Sequence, residues 1–108
     1  MVFRTWSLGA ACLVLNLGTA AAGDLPGDPS AGREIAESSC GECHDVEPGG
    51  MDVYAGVPAF QTLADNPAFT ETALRAFLRS PHGEMPNVMP TREQTDDIIA
   101  YILSLKSR

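Results

Sequence analysis

The sequence contains 108 residues with 14 acidic and 7 basic side chains, so its formal net charge is -7. This length allows one domain, and the acidic balance excludes nucleic acids and anionic lipid surfaces as expected partners. Hydrophobic residues make up 44% of the chain, which indicates a globular protein, but aromatic residues make up only 6%. We therefore expect another apolar group to complete the core.

Residues 1–22 are predicted to be a secretory signal peptide. Arg4 precedes a mostly apolar stretch from Trp6 to Leu17, and alanines at positions 20–22 provide the small residues of a cleavage site. The mature domain then comprises residues 23–108, and export predicts the periplasm of a bacterium as its location. Because the signal peptide carries Arg4 and no acidic side chain, the mature domain is one charge unit more negative than the whole chain.

A membrane anchor and a lipid attachment site at Cys12 are two other possible functions of the N-terminal segment. Its apolar stretch is shorter than the ~20 residues that a spanning helix needs, and no basic stop follows it. Gly9, Ala10 and Ala11 lack the large aliphatic residue that usually precedes a lipidated cysteine. We therefore expect no stable membrane insertion after signal cleavage.

The mature domain is predicted to be all-α, because no segment has the alternating pattern of a strand. A first helix is expected from Pro29 to about Ser39, with Asp28 as its N-cap and proline at its first position. Residues 45–59 are rich in glycine and proline and are predicted to form a loop. Residues 59–64 are expected to form a short helical turn.

Two further helices are predicted in the C-terminal half. Thr70 is expected to cap a helix that ends near Arg79, and three prolines in residues 80–90 predict an extended loop after it. Thr91 and Gln94 have the spacing of a capping box at the start of the last helix. The apolar side chains of this helix recur at helical spacing: Ile98, Ile99, Tyr101, Ile102, Leu103 and Leu105.

The segment from Cys40 to His44 has the pattern C-x-x-C-H, which is typical of covalent haem attachment. Two thiols at this spacing can each add to one of the two vinyl groups of the same haem. His44, directly after Cys43, then lies under the iron with a ring nitrogen available as a ligand. Export fits this chemistry, because bacteria attach haem outside the cytoplasm. The sequence therefore predicts one covalently bound haem c.

A zinc site, a redox dithiol and a disulfide are the alternatives for the same cysteines. A structural zinc site needs four ligands, whereas the mature domain offers two cysteines, His44 and His82 without a second C-x-x-C or a paired-histidine motif. A thioredoxin-like dithiol expects a βαβ context, and the sequence predicts no strand.

The second axial ligand of the iron has four downstream candidates: Met51, His82, Met85 and Met89. A thioether is a soft ligand that suits low-spin haem iron and raises its reduction potential. An isolated methionine usually serves only packing. Met85 and Met89, however, lie in a proline-bounded loop and not on a helical stripe.

Along nearly its whole length, the mature domain resembles the small class I c-type cytochromes. The resemblance rests on five features: Gly32 in the first helix, the C-x-x-C-H motif, Gly56-Val57-Pro58, Met85-Pro86, and Ala100-Tyr101-Ile102 in the last helix. It implies the cytochrome c fold, with three to four short helices and long loops wrapped around one covalently bound haem.

The resemblance also implies roles for individual residues. His44 and Met85 correspond to the axial iron ligands of the family. The carbonyl of Pro58 corresponds to the group that accepts a hydrogen bond from the ligand histidine, here His44. Gly32 corresponds to the glycine that packs against an aromatic side chain of the last helix, here Tyr101.

The predicted function is that of a soluble exported electron carrier, not an enzyme, which cycles between Fe(II) and Fe(III). Its partners would be redox proteins such as a dehydrogenase, a bc1-type complex or a terminal oxidase. The basic docking ring of mitochondrial members of the family is absent, so the resemblance does not identify the redox partner. Two alternatives are an enzyme or sensor with an open iron site, and a tightly held subunit of a periplasmic dehydrogenase.

Overall fold

In a computed structural model of the chain, residues 25–80, 83, 85, 86 and 88–108 are described. The predicted signal peptide, Cys12 and His82 lie outside them. The described residues form four helices: α1 (Pro29–Ser39), α2 (Phe60–Asp65), α3 (Glu71–Arg79) and α4 (Arg92–Ser104). Within these residues, the only strand-like pairing is an isolated bridge between Tyr54 and Val57. The predicted all-α fold class is therefore confirmed.

The helices begin where the sequence places their capping residues. The Asp28 side chain accepts a hydrogen bond from the Ser30 N–H, and the Thr70 hydroxyl accepts one from the Ala73 N–H. The Thr91 capping box is complete, with both reciprocal hydrogen bonds present. Each cap satisfies an amide that has no partner within its helix. The short helix α2 begins one residue later than expected and has no side-chain cap from its own N-cap residue, Ala59.

Helices α1 and α4 pack against each other at closest range around Gly32. A Cβ atom on Gly32 would overlap the carbonyl group of Asp97 and lie 2.9 Å from the Cβ atom of Tyr101. The start of α1 is tied to the same turn of α4, because the Asp28 N–H donates to the Asp97 carboxylate at 2.7 Å. The expected packing of Gly32 on Tyr101 is present, and the Asp97 backbone makes it closer than the sequence alone indicated.

The core is formed mainly by α4 with single faces of the other helices. Arg75 on α3 adds a polar connection to α4 through its ion pair with Asp96 at 2.6 Å. None of the helices in the described ranges is long and apolar enough to cross a membrane. The buried core cluster comprises Ala36, Val46, Phe60, Leu63, Ala64, Leu74, Ile98, Ile99, Tyr101 and Ile102.

Candidate functional site

A tight turn at the end of α1 brings the C-x-x-C-H residues together. Cys40 is the C-cap of α1, and its N–H donates to the Ala36 carbonyl at 2.9 Å. The N–H groups of Cys43 and His44 both donate to the Cys40 carbonyl, at 3.2 and 2.9 Å. The local hydrogen bonding thus holds two thiols and one imidazole within a single turn of backbone.

The two thiols differ in their surroundings. Cys40 is half-buried and packs against the core cluster, whereas Cys43 is exposed. Burial raises the pKa of the Cys40 thiol, because a thiolate loses solvation in apolar surroundings. Both cysteines are free thiols. One thiol therefore packs against the core and the other lies at the surface.

The His44 ring is held by the carbonyl of Pro58. The His44 Nδ1 atom lies 2.6 Å from the Pro58 oxygen, and only a protonated Nδ1 can donate to it. In that tautomer Nε2 carries a lone pair and is free to bind a metal. The hydrogen bond expected from the family resemblance is therefore present.

Aromatic rings support His44 from the core side. The rings of His44 and Phe60 have centroids 5.7 Å apart, and those of Phe60 and Tyr101 have centroids 6.3 Å apart. The Tyr101 hydroxyl donates to the Val46 carbonyl at 2.6 Å, which ties α4 to the segment just after the motif. Burial is the main cause of a raised pKa for Tyr101, so the phenol remains a donor.

Two aspartates fix the loop that carries Pro58, and sequence reasoning did not identify either of them. The Asp45 carboxylate accepts from the N–H groups of Glu47 and Met51 within the loop. Asp52 Oδ1 accepts from the Ala59 N–H at 2.6 Å and from the Thr62 hydroxyl at 2.8 Å. Both bonds lower the pKa of Asp52, with the Ala59 amide as the larger cause.

An open depression of about 400 Å³ lies beside Cys43 and His44. Its lining includes apolar side chains of the loop, Val53 and Tyr54, and acidic side chains such as Glu42. The depression does not include Cys40 or any methionine. It is therefore one edge of the site and not a cradle that by itself encloses a haem.

The candidates for a second iron ligand differ in exposure. Met85 is half-buried in the loop between α3 and α4. Met89 in the same loop is 63% exposed, and Met51 is 77% exposed. His82 lies outside the described residues.

The donor set fits a covalently attached haem. It comprises two free thiols at the required spacing, an imidazole with one nitrogen engaged and one free, and a half-buried thioether. Among the described residues, no group of three or more His, Cys, Asp or Glu side chains is arranged to hold a metal ion. The described residues also form no strand, whereas a thioredoxin-like dithiol expects a βαβ context.

Comparison with known proteins gives a result consistent with a covalently attached haem. A family model described as cytochrome c oxidase, cbb3-type, subunit III matches residues 27–102. Over 95 residues the chain is 37% identical to cytochrome c-552 of Bradyrhizobium diazoefficiens, and the aligned region covers 88% of this chain and 91% of that relative. No solved structure matches the chain. The family match covers α1, α2, α3 and α4 as far as residue 102, and it includes every residue of the site.

Proposed function

Because the chain belongs to the family of c-type cytochromes, we propose that it is an exported mono-haem electron carrier with haem c attached through Cys40 and Cys43. Membership of the family makes it a haem c electron-transfer protein that works with redox partner proteins. When bound, the haem supplies a one-electron couple between Fe(II) and Fe(III). The residues of the chain attach it, provide the axial ligands and keep water from the iron.

The observation that carries the proposal is the hydrogen bond from His44 to Pro58 within the turn that holds both cysteines. It fixes the ring and the tautomer, so that Nε2 points its lone pair away from the engaged side. The buried Phe60 supports the same ring from the core. His44 is accordingly the proposed proximal ligand.

Met85 is the proposed second axial ligand. Its half-burial supports this assignment, because a thioether bound to buried iron is withdrawn from solvent. The neighbouring Pro86 restricts the backbone just after it, which lowers the entropy lost when the side chain is held in one position. With histidine and methionine both bound, the iron has no open position, so we propose an electron carrier rather than an enzyme or sensor.

The proposed cellular location is the periplasm. The support is the order of charge, apolar stretch and small residues in residues 1–22, which lie outside the described part of the chain. Cleavage would leave residues 23–108 as the mature cytochrome. A dehydrogenase, a bc1-type complex and a terminal oxidase are the proposed classes of redox partner.

A second candidate function is that of a permanent subunit of a larger redox complex. The description of the matching family model, which names an oxidase subunit, favours it. Size-exclusion chromatography of the cytochrome from its native membranes and periplasm distinguishes the two. A free carrier elutes from the periplasmic fraction at the size of the mature chain, whereas a subunit co-elutes with its complex.

The test of haem attachment uses cysteine variants. Cys40→Ala and Cys43→Ala should each give little matured protein and lose the covalent haem stain on denaturing gels, because the small core depends on the haem. The matched control is Cys12→Ala, which removes a thiol from the predicted signal peptide and should retain covalent haem. Folded, haem-free protein at full yield from either of the first two variants would refute the proposal.

A further inference from the structure

The peptide bond between Pro58 and Ala59 is hydrogen-bonded at both ends. Its oxygen lies 2.6 Å from His44 Nδ1, and its N–H donates to Asp52 Oδ1, also at 2.6 Å. The same carboxylate oxygen accepts the Thr62 hydroxyl at 2.8 Å. His44 and Asp52 therefore bind opposite ends of one peptide group.

A peptide group transmits polarisation from one end to the other. Its C–N bond has partial double-bond character, with negative charge on the oxygen and positive charge at the N–H. An anion that accepts from the N–H favours this charge separation and makes the oxygen a better acceptor, so hydrogen bonds in such a chain strengthen one another. A bond to a carboxylate is also stronger than a bond to a neutral acceptor.

The environment of Asp52 favours this transmission through the peptide over an effect through space. Hydrogen bonds from Ala59 and Thr62 lower the pKa of Asp52, so the carboxylate is charged at neutral pH. Asp52 is exposed, and water screens its direct field at the site. Ala59, in contrast, is fully buried, so the hydrogen-bonded peptide that joins Asp52 to His44 is protected from solvent.

We propose that Asp52 is a positioning residue that acts on His44 through the Pro58–Ala59 peptide and increases the electron donation of the ring to the haem iron. The inference rests on the proposed function, in which His44 is an axial ligand. A stronger hydrogen bond at Nδ1 makes Nε2 more basic, as carboxylates behind metal-bound histidines do. A more basic ligand favours Fe(III), so Asp52 lowers the reduction potential.

A purely structural role is the competing explanation. Asp52 also connects the loop to α2, because it accepts from the N–H of the N-cap residue Ala59 and from the Thr62 hydroxyl. A variant that merely loosened the loop would shift the potential as well. The test therefore needs variants for which the two explanations predict opposite signs.

Asp52→Asn and Thr62→Val provide this contrast. Asp52→Asn removes the charge, so we expect a higher potential and an upfield shift of the His44 Nδ1 proton in the NMR spectrum of the reduced protein. Thr62→Val keeps the charge and removes a competing donor from the same oxygen, so we expect a lower potential and a downfield shift. A loosened loop would move both variants in the same direction, which would overturn the proposal.

The matched control is Asp65→Asn. Asp65, at the end of α2, is also an exposed carboxylate whose pKa is lowered by hydrogen bonds. Unlike Asp52, it accepts these bonds from Gln61 and Ser107 and not from the Pro58–Ala59 peptide. Asp65→Asn removes one negative charge, as Asp52→Asn does. We expect Asp52→Asn to change the equilibrium constant for reduction about threefold more than Asp65→Asn does. We expect a modest change because direct partners of a ligand histidine typically alter metal affinity or activity 10- to 100-fold, and Asp52 acts one group further away. Equal shifts in the two variants would count against the proposal.

Two checks separate the possible failures. If Asp52→Asn does not mature, Thr62→Val still decides, because an unchanged or raised potential in that variant contradicts the proposal. Failure of the proposed function itself would be evident earlier, since the wild-type protein would then lack the absorption spectrum of a six-coordinate haem. All comparisons are made among proteins that show that spectrum.

Discussion

Met85 and Met89 lie four positions apart in one loop, and coordination chemistry alone does not choose between them. Met85 is sixteen residues before Tyr101, which is about the usual interval between the ligand methionine and the aromatic residue of the last helix in class I c-type cytochromes. Met89 is only twelve residues before Tyr101. From Met89 a single residue, Pro90, remains before the cap at Thr91. The loop can therefore return from the iron to α4 more easily from Met85.

We expect Met85→Ala to abolish the Fe(III)–thioether absorption band and to lower the reduction potential, because a soft ligand that favours Fe(II) is lost. Met89→Ala is the matched control and should keep both the band and the potential, since its side chain is 63% exposed. Absorption spectra and redox titrations of the two variants make the comparison. Loss of the band in the Met89 variant alone would show that the loop runs in a different register.

At the scale of single elements, the contact between α1 and α4 leaves no room for a side chain at Gly32. A methyl group there would overlap the Asp97 carbonyl and approach the Tyr101 Cβ atom at 2.9 Å. We expect Gly32→Ala to lower the free energy of unfolding by about 1–3 kcal/mol through overpacking, despite the better helix propensity of alanine. Glu34→Ala, on an exposed position of the same helix, should change it by less than about 0.5 kcal/mol. Denaturant unfolding of the haem-containing proteins measures both free energies. An unfolding free energy of Gly32→Ala equal to that of wild type would contradict the prediction and show that α1 and α4 can move apart without cost.

Helix α2 is connected to the C-terminal end of the chain by Asp65. Its carboxylate accepts from the Ser107 N–H at 2.7 Å, and hydrogen bonds from Gln61 and then from Ser107 are the main causes of its lowered pKa. A carboxyl with a lowered pKa in the folded state stabilises the protein above the ordinary pKa of 3.8 and loses that contribution as the pH falls through the folded value. We therefore expect Asp65→Asn to be less stable than wild type at neutral pH and equally stable well below pH 3.8. Unfolding midpoints across this range test the expectation, with Glu34→Gln as a control; a stability difference that persists in acid would contradict it.

The starts of three helices could be predicted from the sequence because capping residues lie close to the amides that they satisfy. The caps at Asp28, Thr70 and Thr91 each lie within three residues of the amide that they satisfy, so pattern alone located the starts of three helices. Asp52 and the Ala59 amide are seven residues apart across a loop, and no local pattern connects them. Such a contact depends on how the loop folds back. The ion pair of Arg75 with Asp96 was missed for the same reason.

The site as a whole was predictable to a similar extent. The C-x-x-C-H spacing identified Cys40, Cys43 and His44 directly, and the resemblance supplied the contact between His44 and Pro58 that the structure confirms. The roles of these residues toward iron, and that of Met85, stay predictions. The close approach of the Asp97 backbone to Gly32 could not be predicted, because it depends on the rotation of α4 about its own axis.

The net negative charge of the molecule predicts how salt changes the rates of its reactions with charged redox agents. Acidic side chains surround the exposed Cys43, among them Glu37 and Glu47, which share Arg33, and Glu42, which has no ion pair in the described structure. A field of this sign accelerates encounters with cations, and salt screens it over about 10 Å at 0.1 M ionic strength. We therefore expect oxidation by a cationic cobalt(III) complex to slow with added salt, and oxidation by ferricyanide to accelerate.

Glu42→Gln should reduce both salt dependences, because it removes a charge from the depression beside Cys43 and His44. Glu93→Gln, at the start of α4, removes the same charge elsewhere and should have a smaller effect. Stopped-flow rates over a range of ionic strength provide the measurement. Rates with both oxidants that stay flat with salt would indicate an electron-transfer surface dominated by apolar contact.

The packing of α1 against α4 also limits which contacts can form early during folding. Gly32 cannot be covered, and the Val46 carbonyl cannot receive the Tyr101 hydroxyl, until the final helix has been made and has found α1. Contacts between segments far apart in the chain have an entropic cost, because a long loop must close before they contribute. Until that contact forms, the cysteine motif, which directly follows α1, stays accessible to whatever attaches the haem. Cys40 therefore gains its full packing against the core, to which α4 contributes most, only after the two helices have met.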